Sequence, residues 1–168
     1  MSLYLVTPAR EHKQAWEQYI KETLSAGETY EREQTYRAFL RQRKRFASEK
    51  TVPKDFVPDT LYFLMDGGED KILGRIAIRH RLNDHLLNNP GGHIGYAIAP
   101  SERRKGYATE QLRLALEICR EMGISPVLIT CHKENVASAR VIQKNGGVLE
   151  DERVSKEGKV FQRYWIEL

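Results

Sequence analysis

The chain has 168 residues, 27 Lys and Arg against 23 Asp and Glu, a formal net charge of +4, and 40% hydrophobic against 30% charged residues. A domain of this size hides about 70% of its unfolded surface, so it needs no disulfide or metal staple, and the composition excludes a disordered, collagen-like or membrane-spanning chain. No run approaches the ~18 apolar residues of a spanning helix. Met1–Pro8 lacks the basic flank and the apolar length of a secretory signal, so the expected address is the cytoplasm.

Two cysteines, Cys119 and Cys131, are too few for a disulfide framework and have neither zinc-ribbon nor redox-pair spacing; reduced, buried thiols are expected. The positive charge is uneven. Eight basic residues lie between Arg32 and Lys54 against Glu33 and Glu49, and Arg103-Arg104-Lys105 form a second cluster. Such patches attract anions, although a long one is more often a solvated helix face.

In chain order, Pro8 and the shared face of Ala15, Trp16, Tyr19 and Ile20 predict a helix over 8–22, broken at Gly27. Tyr36, Phe39, Leu40 and Phe46 predict a second, from about Tyr30 to Ala47. Prolines at 53 and 58 make Thr51–Asp59 an extended connector. The apolar period then shortens. Strands are predicted over Thr60–Met65, Lys71–Arg79 and His93–Ala99, with turns at Asp66–Asp70 and Asn88–Gly92. Ala108–Met122 carries the stripe of an amphipathic helix closed by Gly123. A short buried strand (Val127–Cys131), a helix opened by an Asn cap (Asn135–Asn145) and a hairpin (Val148–Arg153, Val160–Ile166) follow. The order α-α-β-β-β-α-β-α-β-β describes one mixed sheet with helices on its faces, an α+β or α/β fold. No internal repeat or domain boundary interrupts residues 1–168.

The stretch Gly95-Tyr-Ala-Ile-Ala-Pro-Ser-Glu-Arg-Arg-Lys-Gly-Tyr-Ala108 is the most informative. A strand ends at proline, a basic loop with one glycine follows, and a helix begins. Gly106 permits positive φ or close approach of a ligand, and amides at the positive end of a helix form an anion cradle suited to a diphosphate. A tight strand-to-helix turn with a basic surface explains the loop equally well.

Arg103-x-x-Gly106-x-Ala108, after Ile98-Ala-Pro100, resembles the pyrophosphate loop of the GNAT superfamily of N-acetyltransferases, whose pattern is Gln/Arg-x-x-Gly-x-Gly/Ala. A second signature is similar: Val127–Cys131, then Asn135-Val-Ala-Ser138 opening a helix, with a Gly eleven residues after the Asn. The element order matches over nearly the whole chain. The resemblance implies one domain over 1–168 with a central, mostly antiparallel sheet flanked by helices, acetyl-CoA as cosubstrate, and acetyl transfer to a primary amine by direct attack on the thioester. Carried over by position, the backbone of Arg103, Arg104, Lys105, Gly106, Tyr107 and Ala108 would bind the CoA diphosphate, with Thr109 behind them. Ile98 and Ala99 would hydrogen-bond the pantetheine arm, one amide polarising the thioester carbonyl, and Asn135 and Ser138 would meet it from the other wall. Asn135 is also explained as a helix cap, and Arg104 and Lys105 as solvated surface.

Two positions depart from the family pattern. Relatives often carry a Tyr seven residues after the Asn, to protonate the departing thiolate; here Ile142 stands there. Relatives often have a Glu before Ile-Gly-Tyr, where this chain has His93. A near-neutral histidine suits proton abstraction from an amine, which makes His93 the candidate general base; a structural histidine at a strand start fits as well. His12, His80, His85 and His132 have no metal-ligand spacing, so no metal is expected. Tyr30, Tyr36, Phe39 and Phe46 are candidates for an acceptor pocket or for packing. The competing readings are a non-catalytic acyl-CoA-binding or sensing domain, favoured by Ile142, and a nucleic-acid module, disfavoured because no RNA-binding aromatic sheet or helix-turn-helix pattern accompanies the basic helix. The acceptor and the oligomeric state are not encoded legibly.

Overall fold

The computed structural model describes residues 2–168. Two antiparallel half-sheets form its centre. The first holds β1 (Leu3–Val6), β2 (Asp59–Asp66), β3 (Ile72–Arg79) and β4 (Ile94–Ile98) in that spatial order; the second holds β5 (Val127–His132), β6 (Val148–Val154) and β7 (Val160–Ile166), with β7 in the middle. The helices are α1 (Lys13–Ser25, after a 3-10 turn at Arg10–His12), α2 (Tyr36–Phe46), α3 (Asp84–Asn88), α4 (Tyr107–Glu121) and α5 (Val136–Lys144). The mixed α and β character expected from the sequence holds. The single continuous sheet does not: β4 and β5 share no ladder. They meet at a bridge between Gly92 and Ile129, where His93 N–H donates to Leu128 O at 2.7 Å and Leu128 N–H donates to His93 Nδ1 at 2.9 Å.

Among the described residues three hydrophobic clusters pack on the sheets, the smallest around Leu64, Leu73 and Ile98. Ile76, Ile78, Ile94, Leu112, Ala115, Cys119, Val127, Ile129, Ile142 and Tyr164 cluster around α4 and α5, joining the half-sheets below the joint. Ala15, Trp16, Tyr19, Tyr36, Phe39 and Phe63 cluster beneath α1 and α2. Phe39 stacks on Phe63 at 6.0 Å and lies 5.2 Å from Trp16, so it packs in this core while its edge also borders a surface pocket. Burial of each such ring stabilises the fold by about 1.5–3 kcal/mol.

α4 lies unusually close to β3 and β4 because β3 carries Gly74, where a Cβ would meet Ala97 O at 2.6 Å and Gln111 Oε1 at 2.7 Å. The buried Gln111 of α4 donates through Nε2 to Arg75 O at 3.2 Å. This close seat fixes the N-terminus of α4 at the end of β4.

Three local differences from the sequence expectation have plain causes. β1 is only four residues long and is held by pairing with β2. α2 begins at Tyr36 because Thr35 caps it, Oγ1 accepting from Ala38 N–H at 3.1 Å, which leaves 27–35 as a loop. The segment 84–88 forms a short helix capped by Asn83, whose Oδ1 accepts from Leu86 N–H at 2.9 Å. Among the described residues no helix is long and apolar enough to cross a membrane.

Candidate active site

After β4 the chain makes a 3-10 turn at Pro100–Glu102, then passes through two left-handed residues, Arg104 (φ 63°) and Gly106 (φ 84°), before α4 starts. That path leaves the amides of Arg104, Gly106, Ala108 and Thr109 without an acceptor among the described residues. They sit at the positive end of a 15-residue helix. A Cβ on Gly106 would find nothing within 4 Å, so the space beside it is open.

This row of amides borders a cleft of ≈ 590 Å³ that continues between β4 and α5. Of the residues singled out from sequence, Ile98, Arg103, Arg104, Gly106, Tyr107, Ala108, Thr109, Asn135 and Ser138 line it. Ala99 does not. It is fully buried and its N–H donates to Leu73 O at 2.8 Å, so it has no free amide for a pantetheine arm. Strand alternation turns the Ile98 peptide edge the other way, toward the cleft, where its carbonyl accepts from Arg103 Nε at 3.2 Å.

The three basic residues divide. Arg103 reaches Glu28 Oε1 at 2.5 Å, tying the 27–35 loop to the amide row. Lys105 Nζ donates to Glu102 Oε2 at 2.9 Å and its residue is not part of the lining. Hydrogen bonds from Lys71 and Lys105 hold the Glu102 carboxyl below the ordinary range. Arg104 makes no ion pair among the described residues. Exposed pairs of this kind contribute about 0–1 kcal/mol each, so they yield readily to a bound anion.

The opposite wall is α5. Asn135 caps it, Oδ1 accepting from Ser138 N–H at 3.1 Å, and the Ser138 hydroxyl lies 2.6 Å from the hydroxyl of Tyr96. This hydroxyl pair bridges the gap between β4 and α5. Burial pushes the Tyr96 phenol up to about 12, so it is protonated at neutral pH. Tyr96 was not anticipated as a site residue. Its signal was present: an aromatic beside Gly95 on a strand leading to an anion loop. Tyr30 and Glu28 also line the cleft, from the loop that was taken for helix.

One sequence expectation requires correction here, and a second position is explained. His93 is not in the cleft lining; it sits buried at the joint of the half-sheets, Nδ1 accepting from Leu128 N–H. Burial, reinforced by the Arg79 charge, lowers it to about 4. A ring nitrogen already occupied, on a weak base outside the cleft, is a structural group rather than a general base. Ile142, at the position of the family tyrosine, is fully buried in the core against Gly147; Val141 is the neighbour that faces the cleft, and it has no proton to give. Both cysteines are buried free thiols, Cys119 raised to about 11 by burial. Among the described residues no group of three or more metal-ligating side chains occurs.

An amide cradle at a helix start, opening onto a cleft between β4 and α5, suits a domain that holds a diphosphate-bearing cosubstrate. The chain belongs to the GNAT acetyltransferase family: the model of the acetyltransferase (GNAT) domain matches residues 3–148. A curated relative, the uncharacterized N-acetyltransferase YnaD of Bacillus subtilis (strain 168), is 33% identical over 79 residues, 46% of this chain and 44% of the relative, so the match spans under half of that protein. Among solved structures, RimL, a ribosomal alpha-N-protein acetyltransferase in complex with coenzyme A, superposes with a TM-score of 0.71 at 15% identity, covering 100% of this chain and 95% of that one. An acetyl transferase of Salmonella typhimurium that modifies the N-terminal serine of a ribosomal subunit protein gives 0.70 at 15%, with 100% and 96% covered. The Salmonella typhimurium protein yncA, solved with its cofactor acetyl-CoA, gives 0.64 at 11%, with 100% and 95% covered. At these identities the likeness is one of fold.

Proposed function

We propose that the chain transfers the acetyl group of acetyl-CoA to a primary amine. The carrying observation is the set of unpartnered amides at Arg104, Gly106, Ala108 and Thr109, opening onto a cleft that runs between β4 and α5. Those amides bind the diphosphate, joined by the backbone of Arg103, Lys105 and Tyr107 and by the Arg104 and Lys105 charges. The Ile98 peptide edge and Asn135 hold the pantetheine arm, which directs the thioester toward Tyr96 and Ser138. Residues 1–168 act as one unit, since β7 of the final hairpin is the centre of the second half-sheet.

The neutral amine attacks the thioester carbonyl carbon; a C–N bond forms, the C–S bond breaks, and the nitrogen passes its proton to solvent water as the sulfur leaves as thiolate. Tyr96 is a weaker acid than a thiol, whose ordinary pKa is about 8.5. The Tyr96–Ser138 pair therefore stabilises the departing sulfur by hydrogen bonding, and solvent delivers its proton. That arrangement removes the need for an acid at Ile142.

Melting curves with acetyl-CoA and thiol release across an amine panel test the reading. A raised melting temperature together with amine-dependent thiol release supports it. A raised temperature without release identifies a non-catalytic acyl-CoA binder, and no change in either refutes both.

A further inference from the structure

A second pocket, of ≈ 360 Å³, lies between the 27–35 loop, α2 and the sheet, and its lining includes Tyr30, Glu31, Arg32, Arg43 and Arg75. We propose that it is the acceptor subsite and that it selects a small amine carrying a carboxylate on the same molecule, an amino acid. The inference rests on the acetyl-transfer reading and names its substrate class.

Position comes first. Tyr30 lines both this pocket and the coenzyme cleft. Arg75 on β3 is the cross-strand partner of Ala97 on β4, which lines the cleft. Directly opposite residues of an antiparallel pair share a sheet face about 4.5–5.5 Å apart. An amine held beside Arg75 is therefore one strand away from the proposed path of the thioester.

Charge comes second. Three guanidinium groups and one carboxylate, Glu31, face the space. Glu31 pairs with Arg75, and Arg43 Nη1 donates to Asp59 Oδ1 at 2.8 Å. The Arg75 Nε itself faces Glu31 Oε1 in their ion pair, whereas the Arg43 Nε is buried without a hydrogen bond. A buried donor left unmade is costly, and a carboxylate brought to Arg43 would satisfy what the fold does not, while Arg75 could exchange Glu31 for it. The Arg75 guanidinium is held in place by the Tyr30 ring, 5.0 Å away, and by Tyr30 O at 3.3 Å. Glu31 supplies the complementary contact, a half-buried carboxylate for the ammonium, raised above the ordinary range chiefly by burial. A zwitterion thus replaces the internal Glu31–Arg75 pair by two external ones. A polyamine would bring only positive charge to a site where cations already outnumber anions.

The volume agrees, because small-ligand sites begin at about 300 Å³.

The test measures thiol release from acetyl-CoA with the twenty common amino acids, their carboxamides, and spermidine. The best amino acid should exceed its own amide and spermidine about tenfold in kcat/KM. Arg75→Gln should shrink the acid-to-amide ratio to within about threefold. Arg32→Gln, on an exposed residue where folding is safe, should raise the amino-acid KM severalfold and leave the acetyl-CoA KM unaltered. Amides or spermidine matching the amino acids overturn the proposal, and so does the absence of any amino-acid turnover in a protein whose melting temperature acetyl-CoA raises. If acetyl-CoA produces no thermal shift, the acetyl-transfer reading fails first and takes this one with it.

Discussion

Replacing Gly106 with alanine separates the two tasks of the amide row. Gly106 sits at φ 84°, and an added Cβ meets no atom within 4 Å, so the stability cost is purely one of backbone conformation. A non-glycine residue in the left-handed region costs about 1–2 kcal/mol. For a chain of this size that lowers the melting temperature by about 2–8 °C, at about 2–4 °C per kcal/mol. The methyl group occupies the space in which a diphosphate approaches the amides. With acetyl-CoA at a hundred times its Kd, the wild-type protein gains about 2.7 kcal/mol, a rise of about 5–11 °C. A tenfold loss of affinity cuts that gain to about 1.4 kcal/mol, so the ligand-induced rise should fall by about half. Differential scanning fluorimetry with and without acetyl-CoA reads both effects on one sample. A variant that melts lower yet keeps the full ligand-induced rise would show that the coenzyme binds elsewhere, and the diphosphate argument would be lost.

Tyr96→Phe removes the hydroxyl that meets Ser138 at 2.6 Å while keeping the ring; kcat should fall about two- to tenfold with the acetyl-CoA KM held, and an unchanged kcat in steady-state kinetics would exclude the hydroxyl pair from the transfer. His93 has a depressed folded-state pKa of about 4, so between that value and the ordinary ~6.5 the unfolded chain binds more protons and stability is lost as pH falls through the window, by about 3 kcal/mol in total. His93→Gln, which keeps an acceptor for Leu128 N–H, should flatten the melting temperature over pH 6.5–4 and leave the pH–rate profile unmoved; parallel melting profiles would refute the assignment. Gly74→Ala forces a methyl against Ala97 O at 2.6 Å and Gln111 Oε1 at 2.7 Å. It should cost about 1–3 kcal/mol by denaturant titration, and a neutral result would mean that α4 is not seated as closely as described.

Apart from the short α3, the helices and strands from Thr60 onward were readable because their apolar periods are long enough to choose between 2 and 3.6 residues. The four residues of β1 carry one alternation, too little for a pattern, and the strand exists because β2 offers it an edge. The loop before α2 has the same difficulty in reverse: no Gly or Pro after Tyr30 marks a later start, but the Thr35 cap begins the helix only at Tyr36. At the site, the anion loop was legible because its chemistry is local, confined to six consecutive residues. The Tyr96–Ser138 contact joins residues 42 apart across a gap between half-sheets, and no spacing rule reports it. His93 misled for the same reason, since its partner Leu128 is 35 residues away. Ile142 differs in kind. The sequence correctly announced a missing hydroxyl, but which side of α5 faces the cleft is decided by packing against the core, and that side presents Val141.

The joint at Gly92 and His93 gives the molecule the mechanics of a pair of tongs. One jaw, β4, is riveted to β5 near its start and faces α5 across the cleft, and from His93 to Ile98 the free arm is about 16 Å long at ~3.3 Å per residue. Rotation at the rivet would therefore be magnified at the tip, where Ile98 lines the cleft. Substitutions around Leu128 or His93, remote from the amide row, should therefore alter the width of the cleft without touching its lining.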